Sequence, residues 1–469
     1  MIDEQEEPES MPQSSTRELG QGSVGKLLFK LALPTITAQL VNALYNMVDR
    51  VYIGHIPVIG KTALTGVGVC MSLIMIVSAF ASLTAIGGAT RASIFLGRED
   101  REEAEKILGH CVTGAVTSAL VLTAVLLLFA RPLLMAFGAS EETIGYAVGY
   151  MRIYALGTVF VELALGLNAF ITAQGFASVA MVSVLIGAVG NMILDAVFIL
   201  ALGMDVDGAA LATVISQGLS ALWVVRFLLG KKTGLRIRRE NLRIQWKRYA
   251  PCLALGLSPF VMQSTEGVIS ICFNASLQRY GGDLAVGAMT ILASVMQFSM
   301  LPLQGLTQGA QPIVSYNFGA GNAGRVKRTF RLLLISCLCY STLLWSLAML
   351  WPRGLAAVFA DDGGLISYTA WAMRIYMAAA GIFGAQIACQ QTFIALGNAK
   401  ASVFLAVLRK IILLIPLIFL LPLFFTADAD KAMAVFLAEP VADTLAVLTT
   451  VCTFTVQFRK TMKQLEVQK

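Results

Sequence analysis

The sequence has little charge for its length. Only 13% of its 469 residues are charged, against about 25% in an average soluble domain. So few charges cannot cover the surface of a soluble globule of this size. The 57% apolar content also excludes a disordered chain. The composition therefore predicts an integral membrane protein.

Histidine and catalytic signatures are scarce as well. The only histidines are His55 and His110, which excludes a His-rich metal site. The eight cysteines lie in or beside apolar stretches without C-x-x-C spacing, so we interpret them as core residues rather than a disulfide framework. No G-x-S-x-G, H-E-x-x-H or Walker A motif occurs. We therefore predict that the protein is not an enzyme, has no cofactor and is not driven by ATP.

Apolar runs long enough to cross a bilayer recur along the chain. A spanning helix needs about 20 mostly apolar residues, and residues 112–130 and 332–352 carry no charge at all. Such uninterrupted runs favour helices over the alternating pattern of a β-barrel. We predict an all-α membrane protein with twelve transmembrane helices, at about 27–54, 62–90, 107–130, 143–172, 178–203, 208–229, 249–278, 284–313, 326–351, 366–396, 402–426 and 431–458.

The basic residues are distributed unevenly between alternate loops. With twelve spans, 25 Lys and Arg fall on the side of the termini and five on the opposite side. Because basic loops stay in the cytoplasm, this bias predicts that both termini are cytoplasmic. The net charge of +7 is therefore a topology signal, and no nucleic-acid partner is expected. The basic loop 226–248 is either a plain linker or a contact for anionic lipids.

The two halves of the chain repeat each other. The sequence MRIY occurs at 151–154 and again at 373–376, and the same offset pairs Phe137 with Phe359. Two halves with six spans each enter the membrane from the same side, so they form lobes related by a pseudo-two-fold axis along the membrane normal. We predict a flexible tail (1–22), an N-lobe (23–230), a basic linker (231–248), a C-lobe (249–458) and a second tail (459–469). A monomer is expected.

Several polar side chains of the N-lobe are predicted at one depth in the membrane. Asp49 lies late in the first span, Asn191 and Asp195 share a face of the fifth, and Thr213 lies early in the sixth. A charge at this depth is costly and needs a function or a partner. Carboxylate, amide and hydroxyl oxygens suit Na⁺, or a proton shared between the acids. The alternative is that Asp49 only pairs with Arg50 or with interfacial water at the end of the helix.

Further polar residues are candidates for a substrate cavity between or within the lobes. They are Glu266, Gln263, Gln304, Gln308, Glu162 and Asn168. Glu162 either lines the cavity or pairs with an arginine. Glu439 and Asp443 either face substrate or pair with Arg409 or Lys410. Pro34, inside the first span, is predicted to bend that helix.

The residues together resemble the multidrug and toxic compound extrusion (MATE) family from about residue 25 to 458. The matching segments are LALP and LYNMVDRVYIG in the first span, GAVGNMILDAVFI and GAALAT in the fifth and sixth, QGLTQGAQPIVSYNFGAGN after the eighth, and IILLIPLIFLLPLFF in the eleventh. The sequence is most similar to the prokaryotic DNA-damage-inducible branch, which implies a multi-pass protein of a prokaryotic plasma membrane. The resemblance implies an antiporter that exports cationic amphipathic compounds by alternating access, coupled to inward H⁺ or Na⁺ flow.

The resemblance also implies roles for individual residues. Asp49, Asn191, Asp195 and Thr213 match the N-lobe cation site of the family, and Pro34 matches its bending proline. Glu266 resembles an acid of the Na⁺-coupled branch, whose partner acid in span ten is missing here. The alternative function is a flippase for lipid-linked oligosaccharides or peptidoglycan precursors, which relatives of this fold perform.

Overall fold

The computed structural model describes residues 14–56 and 59–467, and over these ranges the chain is almost entirely helical, with no strand. The α-helices are α1 (Ser14–Glu18), α2 (Val24–Gly54), α3 (Gly60–Gly97), α4 (Arg101–Ala136), α5 (Ile144–Leu156), α6 (Thr158–Ala173), α7 (Ala177–Asp195), α8 (Asp205–Leu229), α9 (Trp246–Gly319), α10 (Ala323–Leu350), α11 (Pro352–Ala357), α12 (Gly363–Tyr376), α13 (Ala380–Ala395), α14 (Ala399–Val407), α15 (Ile415–Leu420) and α16 (Asp428–Val467).

The helices fit the twelve predicted spans. Among the described residues, nine helices are long and apolar enough to cross a membrane, and the bent pairs α5–α6 and α12–α13 each pass the same test together. One of the nine, α9, has 74 residues and would be about 110 Å long if straight, against a hydrocarbon core of about 30 Å. Gly282 breaks α9 with a φ of 63°, a left-handed conformation that glycine adopts without strain. Residues 246–281 and 283–319 are therefore two arms, one for each of two spans.

The repeat seen in the sequence is also present in the structure. The bend is 57° between α5 and α6 and 51° between α12 and α13, and one copy of MRIY lies in α5 and the other in α12. Likewise α7 continues into a π-helical turn at Ala196–Ala201, and α14 continues into one at Leu408–Leu414. The two lobes therefore repeat their helix breaks as well as their helices.

The lobes have separate apolar cores and an apolar exterior. One core contains Tyr150 and Leu134 of the N-lobe, and another contains Phe273 and Phe436 of the C-lobe. On the outside, Leu128 is 76% exposed, and Leu350 and Phe424 are each 82% exposed. Exposed side chains of this size on a helical bundle are suited to lipid rather than water. These features agree with a protein that spans the membrane.

The lobes contact each other near one end of the bundle. We call this the linker end, because it holds the loop 230–245 and both termini of the described chain, and the opposite end the far end. Hydrogen bonds across the lobes join Thr35 Oγ1 to Gly305 O at 2.6 Å, Gln39 to Gln308 at 3.1 Å, Gln263 to Ser82 at 2.9 Å and Ser93 to Pro312 O at 3.4 Å. All these residues lie in the half of their helices nearer the linker end or close to the helix middle. The contacts therefore hold the two lobes together at the linker end.

The predicted tails are more ordered than expected. Residues 1–13 and 468–469 lie outside the described residues. Residues 14–22, however, include α1 and the fully buried Leu19, whose carbonyl accepts from Asn317 at 2.8 Å and from Arg325 at 3.1 Å. The second tail continues α16 to Val467, with Met462 buried. Residues 14–22 of the predicted flexible tail are therefore ordered, because Leu19 packs against the helical bundle, and residues 459–467 of the second tail extend α16.

Candidate functional site

Asp49 and Asp195 face each other inside the N-lobe. Asp49 lies on α2, five residues before its end, and Asp195 is the last residue of α7. Their side chains lie close enough to interact with one another, and the residues are 4% and 0% exposed. The structure thus brings together two carboxyl groups that the sequence placed at one depth.

Asn191 and Thr213 complete the group. Asn191 is buried one turn before Asp195, and its Nδ2 donates to Thr213 Oγ1 at 3.4 Å. The Thr213 hydroxyl in turn donates to Ala209 O, 3.0 Å away, within α8. The hydroxyl proton is therefore used by the helix, and the Thr213 oxygen remains an acceptor. All four predicted residues lie together.

The oxygens of this group are short of donors. Buried oxygens without a hydrogen-bond partner are Asp49 Oδ1, Asn191 Oδ1 and both carboxylate oxygens of Asp195. Among the described residues no ion pair joins Asp49 to Arg50, which is exposed. Buried acceptors without donors are costly in an apolar environment. A proton or a small cation held between them would remove that cost, and oxygen ligands of this kind suit Na⁺.

Two tyrosines near the acids were not predicted from the sequence. The Tyr150 hydroxyl lies beside Thr213 and the side chain is 1% exposed. Tyr45, one turn before Asp49, lies against Asn46 and Gln217. Tyr150 directly precedes the repeated MRIY, where the other copy has Ala372. That departure from the repeat was the signal available in the sequence.

A π-helical turn adjoins the acidic pair. It spans Ala196–Ala201, directly after Asp195. Such turns widen a helix and often occur at functional sites. The regular α-helical hydrogen bonding of α7 therefore ends at Asp195, whose carboxylate oxygens have no hydrogen-bond donor.

Pro34 lies inside α2, which continues through it from Val24 to Gly54. Because proline has no N–H, the turn before it lacks one backbone hydrogen bond. The next residue, Thr35, donates to Gly305 O at 2.6 Å, so the weakened turn also contacts α9 of the C-lobe. The predicted bending of this helix during transport stays a prediction.

The acids of the C-lobe are paired with cations. Arg409 Nε lies 2.7 Å from Asp443 Oδ1, and its Nη2 lies 3.0 Å from Glu439 Oε1. Lys410 Nζ lies 2.7 Å from Glu266 Oε1. Of the two alternatives for Glu439 and Asp443, the structure therefore has the interhelical pair with Arg409. Lys410 pairs instead with Glu266, which the sequence had not indicated.

Four of the predicted cavity residues lie along the interface between the lobes. Gln263 and Gln308 make hydrogen bonds across it, to Ser82 and from Gln39. Glu266 and Gln304 lie one turn further toward the far end, and both are exposed. Their exposure beyond the last contacts between the lobes indicates that they face the space between the lobes toward the far end, which we call the interlobe opening.

Glu162 and Asn168 lie elsewhere. Glu162 is 0% exposed, close to Ser118 of α4, and neither of its carboxylate oxygens has a hydrogen-bond partner. Asn168 Nδ2 donates to Ala180 O at 3.2 Å, which ties α6 to α7. Both residues therefore lie away from the interface between the lobes, and their assignment to a substrate cavity stays a prediction. Among the described residues no ion pair joins Glu162 to an arginine.

Comparisons with known proteins agree with this architecture. The family model described as MatE matches residues 34–197 and 260–420. The multidrug export protein MepA of Staphylococcus haemolyticus (strain JCSC1435) is 23% identical over 401 residues, which cover 86% of this chain and 88% of that protein.

Solved structures have the same fold. The crystal structure of MATE in the bent conformation superposes with a TM-score of 0.89 at 19% identity, covering 96% of this chain and 99% of the other. The outward-facing conformation of a multidrug resistance MATE family transporter of the MOP superfamily superposes with a TM-score of 0.88 at 19% identity, covering 95% and 98%.

Proposed function

This chain belongs to the MatE family of membrane transporters, and from that premise we propose that it is a secondary multidrug exporter driven by inward flow of H⁺ or Na⁺. The substrates proposed are cationic amphipathic compounds, in line with the multidrug export named for its relatives. Transport is proposed to occur by alternating access in the prokaryotic plasma membrane, with both termini cytoplasmic and the chain acting as a monomer.

The buried acids of the N-lobe carry this proposal. Asp49 and Asp195 lie side by side without a cationic partner, and four oxygens of the group lack donors. A group of this kind inside a membrane is stable only when a positive charge joins it. Binding of one H⁺ or Na⁺ there, and its release on the other side, would couple the ion gradient to the conformation of the lobe.

The position of Asp49 on α2 links ion binding to the contact between the lobes. The same helix carries Thr35, which bonds Gly305 of the C-lobe at 2.6 Å, and Pro34 weakens the helix next to it. A cation between Asp49 and Asp195 would remove their repulsion and draw α2 toward α7. We propose that this movement, passed along α2, loosens or restores the contacts at the linker end.

The charges between the lobes favour cationic over anionic substrates. Glu266 is exposed at the interlobe opening, whereas Arg409 and Lys410 are both bound by carboxylates. A flippase for pyrophosphate-linked lipids needs basic side chains that are free to bind phosphate. The two deep basic residues of the C-lobe are already engaged, so we favour export of cations over that alternative.

Transport in proteoliposomes tests the proposal. Efflux of a fluorescent monovalent cation is followed under an imposed H⁺ gradient and, separately, under an imposed Na⁺ gradient. We expect one gradient to drive efflux and Asp49→Asn to abolish it, with Arg50→Gln, which changes a neighbouring exposed charge, as the matched control. Full gradient-driven efflux by Asp49→Asn, or no efflux by correctly inserted wild type, would contradict the proposal.

A further inference from the structure

Glu266 lies on the face of α9 that the N-lobe contacts nearer the linker end. The residues of that stripe are spaced by three or four, as one helical face requires. From the linker end they are Cys252, beside Gly87, Gly256, beside Leu83, Phe260, 5.0 Å from the Phe80 ring, and Gln263, bonded to Ser82. Glu266 is the next position, and its side chain is 54% exposed. It is therefore the acid that a molecule in the interlobe opening meets.

The other two acids of the C-lobe are out of reach of that opening. The side chains of Glu439 and Asp443 are 5% and 3% exposed, and Arg409 holds both. Arg409 also packs on the ring of Phe383, whose centroid lies 4.5 Å from the guanidinium carbon. These three residues form a closed unit, and Glu266 is the only acid of the cluster with a solvent-facing side.

Lys410 binds the side of the Glu266 carboxylate that faces the interior of the C-lobe. Its side chain is only 6% exposed, although the Glu266 side chain that it binds, at 2.7 Å, is half open. An ion pair that served only the core would bury both partners. Here the cation approaches from the lobe interior, and the outer side of the carboxylate stays free for a second positive group.

Glu266, Glu439, Asp443, Arg409 and Lys410 form one cluster of charges, and this cluster has one negative charge in excess when all five residues are ionised. Three carboxylates (Glu266, Glu439 and Asp443) face two cations, Arg409 and Lys410. Lys410 also lies near Glu439, close enough for their charges to interact. If Lys410 turned to Glu439, the inner four charges would balance, and Glu266 would be left for one positive charge from outside.

We propose that Lys410 is an exchangeable resident cation: the positive group of a substrate takes its place on Glu266, while Lys410 turns to Glu439. Lys410 is thereby a specificity-determining residue. It keeps the carboxylate neutralised when no substrate is present, and it makes each substrate compete with a built-in ammonium group. The inference rests on the proposed function only in taking cations as the substrates.

Equilibrium binding to the purified full-length protein tests the exchange without any ion gradient. The probes are tetraphenylphosphonium, a monovalent cation, and triphenylphosphine oxide, a neutral compound of similar aromatic surface. The variants are Lys410→Met, Glu266→Gln and the double variant, with Lys410→Arg as the charge-conserving control. Each is first checked for a monodisperse elution profile and an unchanged helical signal.

Lys410→Met removes the competitor and leaves Glu266 charged. We expect it to bind tetraphenylphosphonium about tenfold more tightly than wild type, the order of magnitude for a close charge pair that stays largely hydrated, as the half-exposed Glu266 side chain does. Lys410→Arg should bind like wild type, and the neutral probe should be unaffected in both. In the double variant the gain should disappear, because the carboxylate that supplied it is gone.

Equal changes for the two probes, or no change on Lys410→Met, would show that the pair only stabilises the lobe and would overturn the inference. If Lys410→Met does not fold, Glu266→Gln alone decides: a selective loss of the cation supports the exchange, and a parallel loss of both probes contradicts it. Wild type that binds no tetraphenylphosphonium would overturn the proposed substrate class and this inference together. Binding without gradient-driven efflux would reject only the coupling.

Discussion

Asp49 and Asp195 of the N-lobe are buried without an ion-pair partner, whereas Glu266, Glu439 and Asp443 of the C-lobe share two cations. Asp49 and Asp195 lie against each other with oxygens that lack donors. Glu439 and Asp443 are bound by Arg409 at 3.0 and 2.7 Å. The two lobes share one pattern of helices and helix breaks, so the difference lies in side chains rather than in backbone. The pair in the N-lobe is therefore the one that the proposed coupling ion, H⁺ or Na⁺, would neutralise.

The largest effect is expected from removing the cation of the C-lobe. Arg409→Met leaves Glu439 and Asp443 buried and unpaired, and losing one partner of a buried pair costs about 3–5 kcal/mol. We expect the free energy of unfolding in detergent to fall by this amount. Adding Glu439→Gln and Asp443→Asn should restore most of it, and Arg374→Met, at an exposed arginine, is the control. An unchanged unfolding transition would mean that the two acids need no counterion.

Removing an acid of the N-lobe should have a smaller effect of the opposite sign. Asp195→Asn takes away a buried charge that has no partner, so the free energy of unfolding should rise by about 1 kcal/mol. Coupled efflux should be lost in the same variant. The comparison would break if Asp195→Asn destabilised the protein as Arg409→Met does, because Asp195 would then have a structural partner.

Most of the architecture could be predicted from the sequence. Uncharged runs define spanning helices because backbone in lipid must satisfy its own hydrogen bonds. Counting along those helices gives depth, which is how Asp49, Asn191, Asp195 and Thr213 were grouped. The depth of a residue in the membrane does not tell, however, in which direction its side chain points around the helix axis. Tyr150 was missed because the direction in which α5 turns it depends on packing against its neighbours.

The C-lobe pairing and the tails could not be predicted for related reasons. Arg409 and Lys410 lie in a π-helical turn, so ordinary helical spacing does not tell which acid each one reaches. The burial of Leu19 depends on surfaces that exist only after both lobes have assembled. Glu162 faces the inside of its own lobe, and its apolar neighbours give no sign of that orientation in the sequence.

The prolines in matching repeat positions sharpen the comparison. Pro34→Ala restores a backbone donor in α2, next to the contact with Gly305, and should slow transport severalfold with substrate affinity retained. Pro259→Ala is the matched change in α9, because LALP at 31–34 and LALGLSP at 253–259 align after a three-residue slip. It lies on a helix without the proposed cation site and should alter turnover less. Turnover numbers and binding constants are measured in the same preparations. Equal slowing in both variants would assign the effect to general helix flexibility.

The smallest effect is expected from one hydroxyl group. Tyr150→Phe removes the group beside Thr213, and one hydrogen bond contributes about 0.5–1.5 kcal/mol. Because Thr213 is an acceptor in the proposed cation site, the concentration of coupling ion that gives half-maximal efflux should rise by the corresponding factor of about two to ten. Tyr154→Phe is the control, since Tyr154 stacks on Tyr150 with ring centres 6.3 Å apart but lies one turn away. A shift of the same size in both variants would point to packing of α5, and a shift in Tyr150→Phe alone would place its hydroxyl at the ion-binding group, where the C-lobe has only Ala372.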